Sequence, residues 1–237
     1  MLAGLIEASH LATLEELPAL VDEHATRAGL HEALIYVVDL QQNVLRLLTG
    51  HGESAGENTG EHPARLRVDA TLAGRAFQEV RLLPTTGTDG QADHWWVPLL
   101  NGTERLGVLR VRAAEDDDHA AEDKMWTLAS VVASLMVSMR FYSDSYARLT
   151  RARPMNVAAE MQWNLMPPLS FANQKVTVSA AMEPAYEVGG DAFDYAIAGD
   201  VLHLAVFDAM GASPSNEDTD FRRQASGYPP SSHSRSG

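Results

Sequence analysis

Trp95-Trp96-Val97-Pro98-Leu99-Leu100 and Leu106-Gly107-Val108-Leu109-Arg110-Val111 are two strand-like runs around Asn101-Gly102, a turn pair suited to a β-hairpin. Upstream, Ala33 to Asp39 and Val44 to Thr49 read as a second strand pair around the polar turn Gln41-Gln42-Asn43. Leu11, Leu14, Leu17, Leu20 and Val21 form one face of an opening helix that breaks at Gly29. Between the strand pairs, Leu72-Ala73-Gly74-Arg75-Ala76-Phe77 reads as a short helix after a Gly/Glu-rich loop, Gly50 to Glu61. Residues 1–145 are therefore expected to form one α/β (α+β) domain, an antiparallel sheet flanked by helices.

A long helix is expected over 122–149. Acidic residues from Glu115 to Asp118, with Glu122 and Asp123, suit its N-terminus. Met125, Leu128, Val132, Leu135, Met139, Tyr142, Tyr146 and Leu149 recur at alternating steps of three and four, a heptad seam. Packing on the sheet accounts for part of it, and a homodimer helix joining sensor to effector accounts for its length. Pro154 interrupts the pattern, and Val157, Met161 and Leu165 make a shorter helical face before Pro167-Pro168.

The formal net charge is −14 and the sequence pI about 4.9. That balance argues against nucleic acid and anionic membrane surfaces as partners. The short basic cluster Arg148 to Arg153 reads as a solvated helix end. The chain has no cysteine, which excludes cysteine-based catalysis and suits a reducing compartment. No signal peptide or membrane-spanning run is read from the sequence, so a cytoplasmic location is expected. His94-Trp95-Trp96 can contribute to a ligand pocket, but a strand sends one Trp to each face, and core packing is the simpler reading. His51 and His62 flank a loop with Glu53, Glu57 and Glu61 whose glycine content favours a solvated loop over a metal site.

A second chemistry-bearing segment is Glu183-Pro184-Ala185-Tyr186-Glu187-Val188-Gly189-Gly190-Asp191, with Asp208-Ala209-Met210-Gly211 further on. Between the two aspartates, Ala192 to Ala198 and Val201 to Phe207 read as strands around the tight turn Gly199-Asp200. With Ala198 opposite Val201, the register carries Asp191 opposite Asp208. Like charges directly across a strand pair are destabilising, and a hard divalent cation such as Mg²⁺ or Mn²⁺ would give them a reason to be there.

At these residues the sequence resembles the PPM-type protein serine/threonine phosphatases of the SpoIIE-like or RsbU-like branch. Val188-Gly189-Gly190-Asp191-Ala192-Phe193-Asp194 is similar to the family's first aspartate segment, and Phe207-Asp208-Ala209-Met210-Gly211 to the start of its second. The resemblance implies a two-metal centre with Asp191 and Asp208 as ligands and the Ala209 carbonyl as a further donor. It implies hydrolysis of phosphoserine or phosphothreonine on a partner such as a phosphorylated anti-sigma-factor antagonist. Asp194 falls on the other side of the strand and suits a hydrogen-bonding role. Residues 1–145 resemble GAF domains, through element order and the Leu72 to Phe77 segment, which implies an unknown small-molecule ligand.

From Ala212 the sequence departs from the phosphatase pattern. The expected organisation is thus a GAF-like sensor at 1–145, a signalling helix at 122–149, a truncated phosphatase segment at 150–211 and a disordered polar tail at 212–237. The alternative function is a non-catalytic GAF dimerisation or ligand-binding module carrying a phosphatase remnant.

Overall fold

Strand pairing in the first part of the chain follows the alternation read above, with two strands added at the edges. The computed structural model describes residues 2–50, 62–87, 92–113, 118–151, 154–182 and 190–208. β1 (Leu30–Val38), β2 (Val44–Leu47), β3 (Arg65–Arg67), β4 (Leu83–Thr86), β5 (Ala92–Asn101) and β6 (Glu104–Ala113) form one six-stranded sheet in the order β3-β2-β1-β6-β5-β4. Every neighbouring pair is antiparallel. The short edge strands β3 and β4 fall in segments the sequence reading left as connections.

The β5–β6 turn sits one residue later than expected. Asn101 pairs with Glu104, so Gly102-Thr103 is the two-residue loop, and Gly102 has φ +60°. Positive φ at the first central position alone is the type II′ pattern, in which Gly leads. Leu99 pairs with Gly107 but Leu100 with Arg105, so Leu106 is an extra bulged residue.

A second bulge lies in β1 between His31 and Leu34, where Glu32 takes φ +52°. The inserted residue flips the alternation, so Leu30 and Ala33 face the same side. On that side they join Ile35, Val37, Val97, Leu99, Leu109 and Val111 in one buried cluster. It is covered by α1 (Leu2–Ser9), α2 (Leu17–Thr26) and α4 (Asp118–Met139), which contribute Leu5, Leu17, Val21, Met125, Leu128 and Val132. The opposite face carries Tyr36, Val38, Leu45, Leu47, Trp96 and Val108 under Ala73, Ala76 and Phe77 of α3 (Leu72–Glu79). The result is the antiparallel sheet flanked by helices that the GAF-like reading expects.

Two helical expectations need correction. The opening segment is two helices, because Pro18 suits only a first turn and starts α2 afresh; Leu11 falls in the connection and is 98% exposed. The expected helix over 122–149 is also broken. α4 ends at Met139, a 3₁₀ turn spans Arg140–Tyr142, Ser143 is extended, and α5 (Asp144–Thr150) follows. Met125, Leu128 and Val132 are fully buried on the sheet, so that half of the seam is used inside the chain, whereas Tyr142 is 84% exposed. α4 with its 3₁₀ extension has the length and composition of a membrane span, but its apolar stripe packs on the sheet as a core helix does.

α6 (Val157–Leu165) and the hairpin β7 (Ser170–Ala172) with β8 (Thr177–Ser179) complete the first of two compact units, 1–188; the second, 189–237, contains β9 (Asp191–Ala198) and β10 (Val201–Asp208). The expected tail at 212–237 lies outside the described residues, as do 51–61 of the expected flexible loop.

Gly74 in the first turn of α3 lies against the end of the loop before it. A Cβ there would sit 1.9 Å from the Val68 carbonyl oxygen. Alanine ordinarily gains helix propensity over glycine by about 1 kcal/mol. Here backbone must move, and Gly74→Ala is expected to destabilise the protein by about 1–3 kcal/mol, read as a lower urea midpoint at unchanged m-value.

Candidate functional site

The β9–β10 hairpin has the register that its turn dictates. Val201 pairs with Ala198 across Gly199-Asp200, and the ladder runs unbroken to Asp208 opposite Asp191. Period-two alternation puts Asp191, Phe193, Tyr195 and Ile197 on one face with Asp208, Val206, Leu204 and Leu202. Asp194, paired with Ala205, falls on the other face. The two facing aspartates therefore close one end of an apolar strip in which Phe193 and Tyr195 stack at 6.5 Å.

Both aspartates are exposed. Direct opposition of two like charges is destabilising, and it sets two hard oxygen donors side by side on one face of the hairpin. That donor chemistry fits a divalent cation shared with water. Among the described residues no group of three or more His, Cys, Asp or Glu side chains is placed to hold a metal. The expected Ala209 carbonyl donor lies outside the described residues, as does Gly189.

The His94-Trp95-Trp96 segment divides as a strand must. Trp95 packs against the side covered by α1, α2 and α4, and Trp96, 7% exposed, joins the core under α3. Trp96 donates its Nε1 hydrogen to Thr85 Oγ1 at 3.2 Å and meets Tyr36 and His94 edge-on at 5.6 and 5.4 Å. Both indoles are thus packing residues.

Next to Trp96 lies a polar cluster that the sequence reading missed. Glu32, aimed by its left-handed backbone, accepts from Arg110 at 3.1 Å and Arg112 at 2.7 Å. Arg112 also reaches Asp93 at 3.1 Å, and Asp93 faces His94 Nδ1 at 2.8 Å. Arg110, only 9% exposed, comes within 3.4 Å of the same imidazole nitrogen. Two guanidinium groups and two carboxylates compensate each other, so the cluster does not demand a charged ligand. Burial holds the His94 pKa below its usual range; the Asp93 hydrogen bond opposes this, and the Arg110 charge adds to it. The only sequence signal was an arginine at alternate positions of an otherwise apolar strand.

A groove of about 1350 Å³ opens elsewhere in the first unit, between the β5–β6 turn and the α4–α5 junction; Glu104, Arg140, Tyr142, Tyr146, Trp163 and Met166 line it. Glu104 Oε1 accepts from Arg140 at 2.7 Å, while its buried Oε2 has no hydrogen-bond partner.

No family model matches the sequence, and no curated protein matches it. Solved structures give likenesses of fold. The GAF domain of a phosphoenolpyruvate-protein phosphotransferase from Acinetobacter is 17% identical with a TM-score of 0.46, covering 59% of this chain and 92% of that one. The corresponding domain from Coxiella burnetii is 18% identical with a TM-score of 0.45, over 59% and 92%. A free methionine-R-sulfoxide reductase from Neisseria meningitidis is 15% identical with a TM-score of 0.43, over 59% and 88%.

The depressed His94 pKa means that the unfolded chain binds the proton more readily than the folded one. Stability is therefore complete above the ordinary histidine value of about 6.5 and declines as pH falls through it toward the folded value. Thermal unfolding at intervals from about pH 7.5 to 5 should show a shallower decline in His94→Gln than in the parent chain. Equal slopes would remove His94 as the titrating group.

Proposed function

We propose that this protein is a sensor-regulated, metal-dependent protein serine/threonine phosphatase of the PPM type, in the SpoIIE/RsbU-like branch. Residues 1–145 are a GAF-like sensor for a small molecule, and residues 150–211 belong to the phosphatase segment. Its β9–β10 hairpin supplies Asp191 and Asp208 as metal ligands, with the Ala209 carbonyl as a third oxygen donor. The observation that carries this reading is the unbroken register that sets Asp208 opposite Asp191. Paired Mg²⁺ or Mn²⁺ ions would lower the pKa of a bound water and neutralise charge on the phosphoryl oxygens. The aspartates' part is to hold and orient, and no protein nucleophile is required, in keeping with a chain free of cysteine. The substrate class is a phosphoserine or phosphothreonine on a partner-switching regulator, of the anti-sigma-factor antagonist kind.

A second reading, a non-catalytic GAF-type module with a phosphatase remnant, draws on the hairpin's surface. Leu204, Val206 and Phe207 are 61, 75 and 54% exposed, an apolar surface of the kind that serves as an interaction face.

Mn²⁺ titration of the 237-residue chain, followed by electron paramagnetic resonance, tests the first reading together with hydrolysis of an aryl phosphate. Metal binding and metal-dependent turnover are expected, each reduced at least tenfold in Asp191→Asn and in Asp208→Asn, about 1.4 kcal/mol or more per carboxylate. Binding without turnover selects the second reading. Absence of binding removes the metal site.

A further inference from the structure

The break between α4 and α5 has a local restart signal, the extended Ser143 that caps α5 with Asp144 in its first turn, but no helix-breaking residue. Sharp interruptions of a helix ordinarily trace to Pro, Gly or an inserted group, yet Met139 to Arg151 contains neither Pro nor Gly. What holds the break comes from distant elements. Arg140 is paired with Glu104 on β6 at 2.7 Å. Ser143 donates to Glu15, before α2, at 3.0 Å, and caps α5 by accepting from Tyr146 N. At the far end of α5 the Leu40 amide donates to Thr150 O at 2.8 Å, and Arg46 Nη1 donates to Arg151 O at 2.8 Å. Leu149, 1% exposed, is thereby docked beside β1 and β2. The bend leaves Phe141 70% and Tyr142 84% exposed, although Tyr142 lies on the apolar stripe of the preceding helix.

We propose that the α4–α5 junction is a two-state latch: docked and bent while Glu15 and Glu104 hold Ser143 and Arg140, and a continuous helix from α4 through Thr150 when they release them. The sequence is compatible with the second state, because the three-and-four spacing of Met139, Tyr142, Tyr146 and Leu149 continues through the break. Straightening removes α5 from the sheet and frees the Leu40 amide and Arg46, so the two states differ in contacts made by the sheet itself. The groove between the β5–β6 turn and this junction contains Glu104, Arg140 and Tyr146, so an occupant there would bias the latch. The inference is independent of the metal site.

The cysteine-free chain allows a clean distance measurement. Spin labels on Lys124→Cys and Arg148→Cys, both exposed positions, would lie about 36 Å apart along one straight helix and closer when the junction is bent. The parent chain should give the shorter distance. Removing the holding groups with Glu15→Ala and Glu104→Ala, or more mildly with Ser143→Ala, should raise the population near 36 Å several-fold while the thermal transition stays cooperative. Asp144→Pro is the discriminating addition. Position 144 opens α5, where proline is accepted, and Ser143 already has the extended backbone that precedes proline, but a continuous helix cannot pass through it. Loss of the long-distance population on adding Asp144→Pro supports the latch. No long population in the released variants, or one that persists with Asp144→Pro because α5 has merely come loose, overturns it.

Discussion

Every residue of β6 from Leu106 to Val111 is buried, on both faces of the sheet, and the architecture of the first unit follows from that constraint. A strand with two dry faces needs helices on each side and partners on each edge. β1 and β5 supply the edges. α4 with the two opening helices covers one face, and the amphipathic α3 covers the other. The ladder slips by a residue at Glu32, at Leu106 and, at the β4 edge, between Thr85 and Thr86, and the first two slips set which side chains reach which layer. Arg110 lies on the same strand, so its burial is a consequence of position. Glu32 takes up the charge because the bulge turns its carboxylate toward that end of the sheet.

The hairpins show how far turn chemistry can be read from sequence. Gly199-Asp200 is flanked by strands of equal length that pair without a bulge, so the register set at the turn reaches the far end; the opposition of Asp191 and Asp208 was therefore legible. Asn101-Gly102 was legible as a turn but not in its register. Glycine can occupy either central position, and the later placement comes with the bulge at Leu106, which local turn chemistry does not show. The edge strands β3 and β4, three and four residues long, carry too little alternation to stand out from connections. The Glu32, Asp93, His94, Arg110 and Arg112 cluster was invisible for a different reason. Arg110 and Glu32 lie far apart in the chain, and their meeting is a product of strand order.

The helical segments make the complementary point. A periodic apolar stripe establishes that a face exists and not what covers it. The seam from Met125 onward is one stripe in sequence, but its first half is claimed by the chain's own sheet and its second half is redirected at Arg140. The next stripe, Val157, Met161 and Leu165, is helical as read, yet those side chains are 72, 60 and 83% exposed, and α6 packs inward through Ala159 instead. Dimerisation through the earlier seam would therefore have to draw on the residues beyond Met139, since Met125, Leu128 and Val132 are already used within the chain.

Charge is organised by the same logic at both candidate sites, with opposite outcomes. In the first unit each carboxylate of the cluster meets a guanidinium, two of them through Arg112, and the set is electrically closed. Such a cluster stabilises and orients the sheet end but offers an incoming ion little. On β9 and β10 two carboxylates are brought together by backbone register instead. Backbone hydrogen bonding is insensitive to that repulsion, because about 1 kcal/mol or less is spread over an eight-residue ladder. A local penalty of that kind is one that a bound cation would relieve. In the proposed reading a cation there would remove the repulsion and gain two oxygen ligands.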